Sequence, residues 1–259
     1  MRIAVLGLGE AGALYATGLV ERGHRVLAFD PVAGTTPAGV DRRPDAEEAV
    51  AEAELVLSLV GAAAAERALE GVVGALTPAA LFADMNTGSP AAKRGLAATV
   101  DRTGAAFADA AIMSPVPRAG LLTPLLASGT GGERFVDTVS GWGVPARYVG
   151  PEAGSAAGLK LLRSVFMKGL AGLVFETLRA AERTGDEAWL RAEIAGELGP
   201  DGDALVERLL DGTRKHAVRR AHEMADVRDY LAAIGSPAWM TDGTLAWLEA
   251  VAAEGPPAD

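Results

Sequence analysis

A glycine-rich segment near the start of the chain has the spacing that binds the phosphates of a dinucleotide. It follows the pattern G-x-G-x-x-G and consists of Gly7, Leu8, Gly9, Glu10, Ala11 and Gly12. The first glycine permits a tight turn, the second lets the backbone approach a pyrophosphate, and the third lets a helix pack against the preceding strand. Unpaired amides at the start of that helix attract phosphate. The segment therefore predicts a dinucleotide site.

An acidic residue at the end of the next apolar run bears on the choice of cofactor. Asp30 stands where a carboxylate accepts hydrogen bonds from the adenosine ribose hydroxyls. The same carboxylate repels a 2′-phosphate, so NAD is favoured over NADP. Arg42 and Arg43 are the counter-argument, because an arginine nearby can bind a 2′-phosphate. We interpret them as surface charges and keep NADP as the alternative cofactor.

Short apolar runs alternate with helical patterns through the first part of the chain. Most runs are continuously apolar, which is typical of strands buried on both faces of a parallel sheet. The predicted strands are Arg2–Leu6, Arg25–Asp30, Leu55–Leu59, Leu81–Asp84, Ala106–Ala110 and Leu125–Ser128. The predicted helices between them are Ala11–Arg22, Asp45–Ala53, Ala63–Leu76 and Pro90–Thr103. This order predicts an α/β, doubly wound, Rossmann-type domain over residues 1–152.

Beyond residue 152 the pattern is helical only. The predicted helices are Ser155–Arg183, Asp186–Leu198, Asp203–Ile234 with a break at Gly212, and Pro237–Ala253 with Ser236 as its cap. We therefore expect an all-α second domain over residues 153–259, with the boundary near Gly150–Gly154. The tail at 255–259 is expected to be frayed.

Composition excludes several classes of function. The chain is 49% hydrophobic and 22% charged, which is ordinary for a globular protein. A net charge of −10 argues against general nucleic-acid binding. The absence of cysteine and the scatter of three histidines give no metal site. No apolar run approaches the roughly 20 residues that span a bilayer, and the apolar start is too short for a signal peptide. These features predict a cytoplasmic protein.

Three segments resemble motifs of the β-hydroxyacid dehydrogenases, a family that includes 3-hydroxyisobutyrate, tartronate semialdehyde and 6-phosphogluconate dehydrogenases. The glycine segment resembles G-L-G-x-M-G, with Ala11 in place of Met. Residues 84–90, Asp-Met-Asn-Thr-Gly-Ser-Pro, are similar to D-x-[SN]-T-x-x-P. Residues 154–164, Gly-Ser-Ala-Ala-Gly-Leu-Lys-Leu-Leu-Arg-Ser, resemble G-x-G-x-x-x-K-x-x-[NH]-N. The three motifs occur in the family's order.

The resemblance makes Lys160 the catalytic residue. It lies in the apolar run Ala156–Leu162 near the start of a long predicted helix. A lysine that leaves water for a cleft has its charged form disfavoured, so its pKa can fall toward neutrality. It can then take the proton of a substrate hydroxyl while hydride leaves for the nicotinamide. The alternative is a lysine whose stem covers an apolar helix face and whose charge stays in water.

Residues after Lys160 extend the predicted site along one helix face. Ser164, Met167 and Lys168 follow at helical spacing, with Arg163 beside them. By the resemblance, the Ser164 position is usually Asn and orients lysine and substrate; serine has a shorter reach. Arg163 and Lys168 add positive charge that can hold an anionic group of the substrate. The alternative is that both are solvated helix charges.

Two strand-end loops complete the predicted site. Asn86 and Thr87 follow a strand at the carboxyl edge, where ligands bind in open α/β sheets. The resemblance places them beside the nicotinamide ribose, although Ser89 and Pro90 also give that loop a structural role as a helix start. Val60 and Gly61, after the strand at 55–59, are expected near the cofactor, again by resemblance.

One segment departs from the family pattern. The family usually has D-A-P-V-S-G-G after its sixth strand, and these residues hold the substrate carboxylate. Residues 109–115 here are Asp-Ala-Ala-Ile-Met-Ser-Pro, with the serine displaced and a proline that removes one backbone donor. Ser114 is kept as a substrate-binding candidate.

Together these features predict an NAD(P)-dependent oxidoreductase that transfers hydride between a nicotinamide cofactor and a small, acidic hydroxy compound. An imine reductase-like enzyme is one alternative, but such enzymes usually lack the family lysine. A non-catalytic NAD(H)-binding sensor is another; it needs the glycine segment and Asp30 but not Lys160.

The long helix also predicts a homodimer. Its apolar residues cover more than one face, and such a helix needs partners on several sides. They are Leu161, Leu162, Val165, Phe166, Leu170, Leu173, Val174 and Leu178. Four polar residues further on also share a helix face, which we interpret as solvated or subunit-facing: His216, Arg219, Arg220 and Glu223.

Overall fold

The computed structural model describes residues 1–254, and the tail expected to be frayed lies outside them. The chain divides into two compact units, Met1–Lys160 and Leu161–Asp259. This division falls eight residues after the boundary expected at residue 152.

One eight-stranded sheet forms the centre of the first unit, in the order β3-β2-β1-β4-β5-β6-β7-β8. The strands are β1 Arg2–Leu6, β2 Arg25–Phe29, β3 Asp41–Arg42, β4 Leu55–Ser58, β5 Leu81–Asp84, β6 Ala106–Ile112, β7 Leu125–Ser128 and β8 Ala146–Tyr148. All neighbouring pairs are parallel except β6 and β7. The fold is a Rossmann-like, mostly parallel sheet. The β6–β7 pair is antiparallel. The residues between these two strands form two 3₁₀ turns, Val116–Arg118 and Gly120–Leu122, and not the α-helix that usually carries a parallel crossover.

Five α-helices flank this sheet: α1 Glu10–Glu21, α2 Ala46–Val50, α3 Ala65–Glu70, α4 Pro90–Asp101 and α5 Gly132–Ser140. The sequence patterns missed α5 and the short strands β3 and β8. The single helix predicted at Ala63–Leu76 was wrong. That stretch is α3 between two 3₁₀ turns, Ala62–Ala64 and Val73–Ala75. Gly71 ends α3, as expected from the poor helix propensity of glycine.

The sheet is buried on both faces, as its continuous apolar strands predict. In β1, Ile3 and Val5 pack into one core cluster, with residues of α1 and α5. Ala4 and Leu6 point to the opposite face and pack with residues of α2, α3 and α4. This alternation follows from the two-residue period of a strand.

The long helix α6, Ser155–Thr184, runs through the division, and the second unit continues with α7 Glu187–Glu197, α8 Gly202–Ala233 and α9 Trp239–Ala253. Its cores are apolar residues of α6, α8 and α9, among them Phe175, Leu209 and Leu248.

Two details of the second unit differ from prediction. The interruption of α8 falls at His216 (φ −129°, ψ 23°) and not at Gly212. A side chain at Gly212 would meet the Arg220 guanidinium, so this glycine gives Arg220 room inside a regular helix. The last helix begins at Trp239 with Ala238 as its cap, so Ser236 does not cap it. Instead the amide of Ser236 donates to the carbonyl of Leu231 and closes the end of α8.

Candidate functional site

The glycine segment forms a tight turn between β1 and α1. Gly7 has φ +93°, and a Cβ there would lie 2.6 Å from the carbonyl oxygen of Leu59, so both conformation and space require glycine. A Cβ at Gly12 would collide with the carbonyl of Gly7, so the third glycine permits the close approach of α1 to the turn. Two of the three predicted glycine roles therefore have a direct steric cause.

The start of α1 leaves room for a phosphate. Gly9 is the helix cap, no side chain caps the helix, and a Cβ on Gly9 would meet nothing within 4 Å. Glu10, Ala11 and Gly12 form the first turn, whose amides have no partner within an α-helix. The residues present fit the pyrophosphate of a dinucleotide, because open space lies in front of uncapped helix amides.

Asp30 lies directly after β2 and faces the glycine turn. Its carboxylate accepts hydrogen bonds from the amide of Leu8 at 2.6 Å and from those of Val32 and Ala33 at 2.7 and 2.9 Å. Burial raises the pKa of Asp30, but these bonds outweigh it and hold the pKa below its usual range. The carboxylate is therefore ionised and fixes the two loops to each other.

Arg42 lies beside Asp30, because β3 pairs with β2. Its guanidinium donates to the carbonyl oxygen of Asp30 at 2.6 Å and to Thr36 Oγ1 at 3.5 Å. Arg43 instead forms an ion pair with Asp41. The interpretation of Arg42 as a plain surface charge was therefore incomplete, since its guanidinium lies at the strand end that carries Asp30.

A row of polar side chains crosses four strands at the carboxyl edge of the sheet. Ser58 of β4 is the register partner of Asp84 in β5, Asp84 is the partner of Asp109 in β6, and Asp109 is the partner of Ser128 in β7. All four are buried. We call these residues the polar row. Buried polar groups need hydrogen-bond partners, so the row must bind groups from the loops above it.

Lys93 of α4 supplies a positive charge to the polar row. Its side chain is 2% exposed, and Nζ lies 2.5 Å from Asp84 Oδ2 and 3.3 Å from Asp109 Oδ1. Nζ also donates to the carbonyl oxygens of Asn86 and Asp84 at 2.7 and 3.1 Å. The Asp109 contact is an ion pair without hydrogen-bond geometry.

Asn86 uses its side chain to join loops. Its amide donates to Ser58 Oγ at 3.0 Å and to Asp84 Oδ1 at 2.6 Å. Its Oδ1 accepts from the amide of Gly61 at 2.7 Å, and Gly61 has φ +90°. The structure therefore connects the predicted cofactor residues Val60, Gly61 and Asn86, with Asn86 holding the loop that follows β4.

Lys160 and Thr87 meet above the polar row. Lys160 Nζ lies 3.1 Å from Thr87 Oγ1, and both side chains are half-buried. The first turn of α6, which leads to Lys160, is capped by Asp109: its Oδ2 accepts from the amides of Gly154 and Ala157 at 3.1 and 3.0 Å. Ser128 Oγ accepts from the amide of Ala156. Two predicted motifs that are distant in sequence therefore converge here.

Ser114 lies after β6, which extends to Ile112, beyond the predicted end at Ala110. It is half-buried and precedes the 3₁₀ turn Val116–Arg118, for which Pro115 is the cap.

In the second unit, Lys168 is paired. Its Nζ lies 2.9 Å from Glu223 Oε2 and 3.0 Å from Ser164 Oγ. Burial lowers the pKa of Lys168, and Glu223 opposes that shift. Glu223 also contacts Arg219, while Arg220 donates to Thr213. Of the set interpreted as solvated or subunit-facing, Arg220 and Glu223 therefore pair with groups inside the unit, whereas the side chain of Arg219 is 65% exposed.

Arg163 is exposed, in contrast to Lys168. A surface groove of about 780 Å³ in this unit is lined in part by Lys215, His216 and His222. It contains none of the predicted site residues.

No sequence pattern indicated the residues that support the site, which are Ser58, Asp84, Lys93, Asp109 and Ser128. Two of them, Asp84 and Asp109, stand at the ends of predicted strands, which is a signal that adjacent parallel strands can bring carboxylates together. Nothing in the sequence paired them with Lys93.

Residues 1–254 contain neither a metal-binding cluster nor a membrane-spanning helix. No three His, Cys, Asp or Glu side chains of the described chain are grouped so that they could hold a metal ion. Of the helices in that range, none is both long and apolar enough to cross a membrane.

Family comparisons agree with this geometry. Residues 2–130 match the family described as "NAD binding domain of 6-phosphogluconate dehydrogenase". Residues 181–251 match a second family, "Domain of unknown function (DUF1932)".

Relatives point in the same direction. A probable 3-hydroxyisobutyrate dehydrogenase of Mycobacterium tuberculosis is 36% identical over 136 residues, which are 51% of this chain and 46% of that relative. The chain thus spans about half the length of the curated relatives it matches.

Two solved structures cover nearly the whole chain. A conserved hypothetical protein from Sinorhizobium meliloti has a TM-score of 0.78 at 28% identity, covering 96% of this chain and 88% of its own. A Mycobacterium tuberculosis 3-hydroxyisobutyrate dehydrogenase with L-serine has a TM-score of 0.83 at 24% identity, covering 100% and 96%, and shows the same fold. With its glycine turn, its Thr87 segment and its Lys160 helix, the chain belongs to the β-hydroxyacid dehydrogenase family.

Proposed function

We propose that this protein catalyses the reversible, NAD(P)-dependent oxidation of a small, acidic hydroxy compound. The observation that carries the proposal is the 3.1 Å contact between Lys160 Nζ and Thr87 Oγ1 at the carboxyl edge of the sheet. Ligands of open α/β sheets bind at this edge. The glycine turn belongs to the same unit.

Lys160 acts as general acid and base in this proposal. It accepts the proton of the substrate hydroxyl during oxidation and returns it during reduction. Thr87 holds the amino group of Lys160 in place through its hydroxyl oxygen. When bound, the nicotinamide dinucleotide supplies the hydride acceptor. Asn86, Val60 and Gly61 shape the loops expected beside it.

NAD is the cofactor we propose. The Asp30 carboxylate is held ionised by its three amide bonds, and its negative charge disfavours a 2′-phosphate. Arg42 supports NADP instead, since its guanidinium donates to the backbone of Asp30. NAD remains favoured because the Arg42 guanidinium is already bonded to Asp30 and Thr36.

Ser114, Arg163, Ser164 and Lys168 are the proposed substrate-binding residues. Of the two cations, Arg163 is the better candidate for a substrate anion. Lys168 shares its charge with Glu223 in a partly buried pair, whereas Arg163 is exposed.

A homodimer in the cytoplasm is part of the proposal. Leu162, Phe166 and Leu173 of α6 are exposed by 40%, 67% and 57%, and such an apolar stripe favours association. A sedimentation experiment that finds only monomer at micromolar concentration would contradict the dimer.

Titration of the purified protein with NADH and then with NADPH, followed by nicotinamide fluorescence, tests the cofactor. We expect tighter binding of NADH. Tighter binding of NADPH would transfer the cofactor-selecting role from Asp30 to Arg42, and binding of neither would contradict the whole proposal.

Turnover of a panel of hydroxy acids tests the reaction. Lys160→Met is expected to lower kcat about 10²–10⁴-fold, the usual contribution of a general acid–base group. Lys215→Met, a change at an exposed lysine of α8, serves as the matched control and leaves kcat unchanged. Reduction of cyclic imines without oxidation of any hydroxy acid would support an imine reductase instead. NADH binding with no turnover, and with cellular function that survives Lys160→Met, would support a sensor.

A further inference from the structure

Three buried charged groups lie beneath the contact between Lys160 and Thr87. Asp84, Lys93 and Asp109 are almost completely inaccessible, with exposures of 1%, 2% and 0%. Lysine is almost never fully buried unless it is paired. The cluster carries one net negative charge when all three groups are ionised, and the first turn of α6 presents its amides to Asp109. The helix N-terminus therefore offsets that charge.

On one side, Lys93 fixes the segment that carries Thr87. Its Nζ bonds Asp84 Oδ2 and the carbonyl oxygen of Asn86, the residue before Thr87. Asp84 in turn accepts from the side chain of Asn86, which holds the amide of Gly61. Lys93 therefore limits the movement of the loops after β4 and β5 together.

On the other side, Lys93 fixes the start of the helix that carries Lys160. Asp109 uses Oδ2 for the amides of Gly154 and Ala157 and for Ser128 Oγ. Its Oδ1 faces Lys93 Nζ at 3.3 Å. Lys93 therefore orients the Asp109 carboxylate that caps α6, and the same ammonium group also bonds the backbone of Asn86.

We propose that Lys93 is a positioning residue that sets the distance between Thr87 and Lys160. One ammonium group joins the loop of the first to the helix of the second, so a small shift at Lys93 moves both partners of the contact. An entirely apolar replacement of a buried ion cluster is often neutral for stability. A role in folding alone therefore does not require a charged cluster at this place. The proposal rests on the proposed function, because it assigns the Lys160–Thr87 contact to catalysis.

The test uses a double variant, because Lys93→Met alone leaves two facing carboxylates in the interior. Lys93→Met with Asp84→Asn keeps one negative charge in the cluster and keeps an acceptor for the Asn86 side chain. Val100→Ala is the control: Val100 is fully buried on the same helix, in the apolar cluster, so it lowers stability without touching the polar row.

We expect the double variant to lower kcat at least tenfold while KM and the Kd for NADH change less than twofold. Val100→Ala leaves all three unchanged. A double variant with wild-type kcat would overturn the proposal, and so would a fall in kcat that Val100→Ala reproduces through its loss of stability alone.

A second measurement does not depend on turnover. Trace acetylation of the cofactor-free protein, followed by mass spectrometry, measures the reactivity of each lysine. In the double variant we expect Lys160 to react at least threefold faster, because its contact with Thr87 is lost, while Lys215 is unchanged. Equal rates for Lys160 would contradict the positioning role. If the wild-type protein binds no NADH, the proposed function fails, and this measurement alone decides the role of Lys93.

Discussion

The two units each bury a lysine, and they do so by different means. In the first unit Lys93 meets carboxylates of two strands, Asp84 and Asp109, and its side chain is 2% exposed. In the second unit Lys168 meets Ser164 one helical turn away and Glu223 of a neighbouring helix, with its side chain 14% exposed.

The difference lies in what brings the partners together. Asp84 and Asp109 are neighbours only because β5 and β6 pair in one register, so Lys93 depends on the topology of the whole sheet. Lys168 depends on the packing of two helices, and Arg219 shares its partner Glu223. The first cluster therefore has little tolerance for the loss of a member, and the second has more.

The largest expected effect is on the first unit. Lys93→Met should lower its free energy of unfolding by about 3–5 kcal/mol, the usual cost of leaving buried charge uncompensated. Trp142 is the tryptophan of this unit, so its fluorescence during urea unfolding measures the change once Trp189, Trp239 and Trp247 are replaced by Phe. If Lys93→Met lowered the free energy of unfolding by less than about 1 kcal/mol, Lys93 would contribute no more to stability than is expected of Lys168.

The three glycines of the glycine turn have two different roles. Gly7 and Gly12 permit close backbone contacts inside the first unit, whereas Gly9 leaves room for a ligand. Gly9→Ala should weaken NADH binding about 10–100-fold, or ~1.4–2.8 kcal/mol, because its methyl group enters the open space in front of α1. Stability should change by less than about 0.5 kcal/mol, since Gly9 has a φ of −62° that alanine adopts. Gly95→Ala, in the interior of α4, is the control and leaves affinity unchanged.

Acid should weaken the first unit through Asp30. Its folded pKa lies below the usual value, so its contribution to stability is present above the ordinary aspartate pKa and is lost as pH falls through the folded value. Asp30→Asn should lower the free energy of unfolding by about 1.5–3 kcal/mol at pH 7, as for hydrogen bonds to a charged acceptor. The difference from wild type should shrink in acid, and urea unfolding at neutral and acidic pH measures it. A difference independent of pH would contradict the ionised-acceptor interpretation.

The smallest effect is expected for Lys168. Lys168→Met should change stability by less than about 1 kcal/mol at pH 7, because Glu223 retains Arg219. Burial lowers the folded pKa of Lys168 below 10.5, so the unfolded chain binds more protons between the two values and stability rises with pH there. Unfolding measured from pH 8 to 10.5 should show this rise in the wild type and not in the variant. If Lys168→Met lowered the free energy of unfolding more than Lys93→Met does, the buried cluster of the first unit would not be the less tolerant of the two.

The first unit could be predicted well where one short stretch of sequence determines the structure. The glycine turn between β1 and α1 follows from steric rules that act over a few residues. Gly7 has the positive φ that a tight turn needs, and a Cβ at Gly12 would meet the carbonyl of Gly7. The helix bearing Lys160 was likewise predicted from its apolar pattern.

The support beneath the site could not be predicted, because it depends on register. In the sequence, Asp109 is only the first residue of the segment 109–115, which differs from the family pattern. Lys93 is only one charged residue of a predicted helix. Their contact requires β5, β6 and α4 to be placed together. The same holds for Arg42, which reaches Asp30 through a strand of two residues. Nothing in the sequence marks His216 as the position of the kink in α8, whereas Gly212 is a residue type that often interrupts helices.

The polar row has a consequence for how the sheet assembles. Because side chains alternate between faces, a strand displaced by one residue would turn its polar member toward the opposite, apolar layer. The polar row lies in one line across four strands. A shift of one strand by one residue would therefore leave a buried carboxylate or hydroxyl without a hydrogen-bond partner. The same side chains that support the site thus also favour the correct strand register, because a sheet with the wrong register is less stable even before a ligand binds.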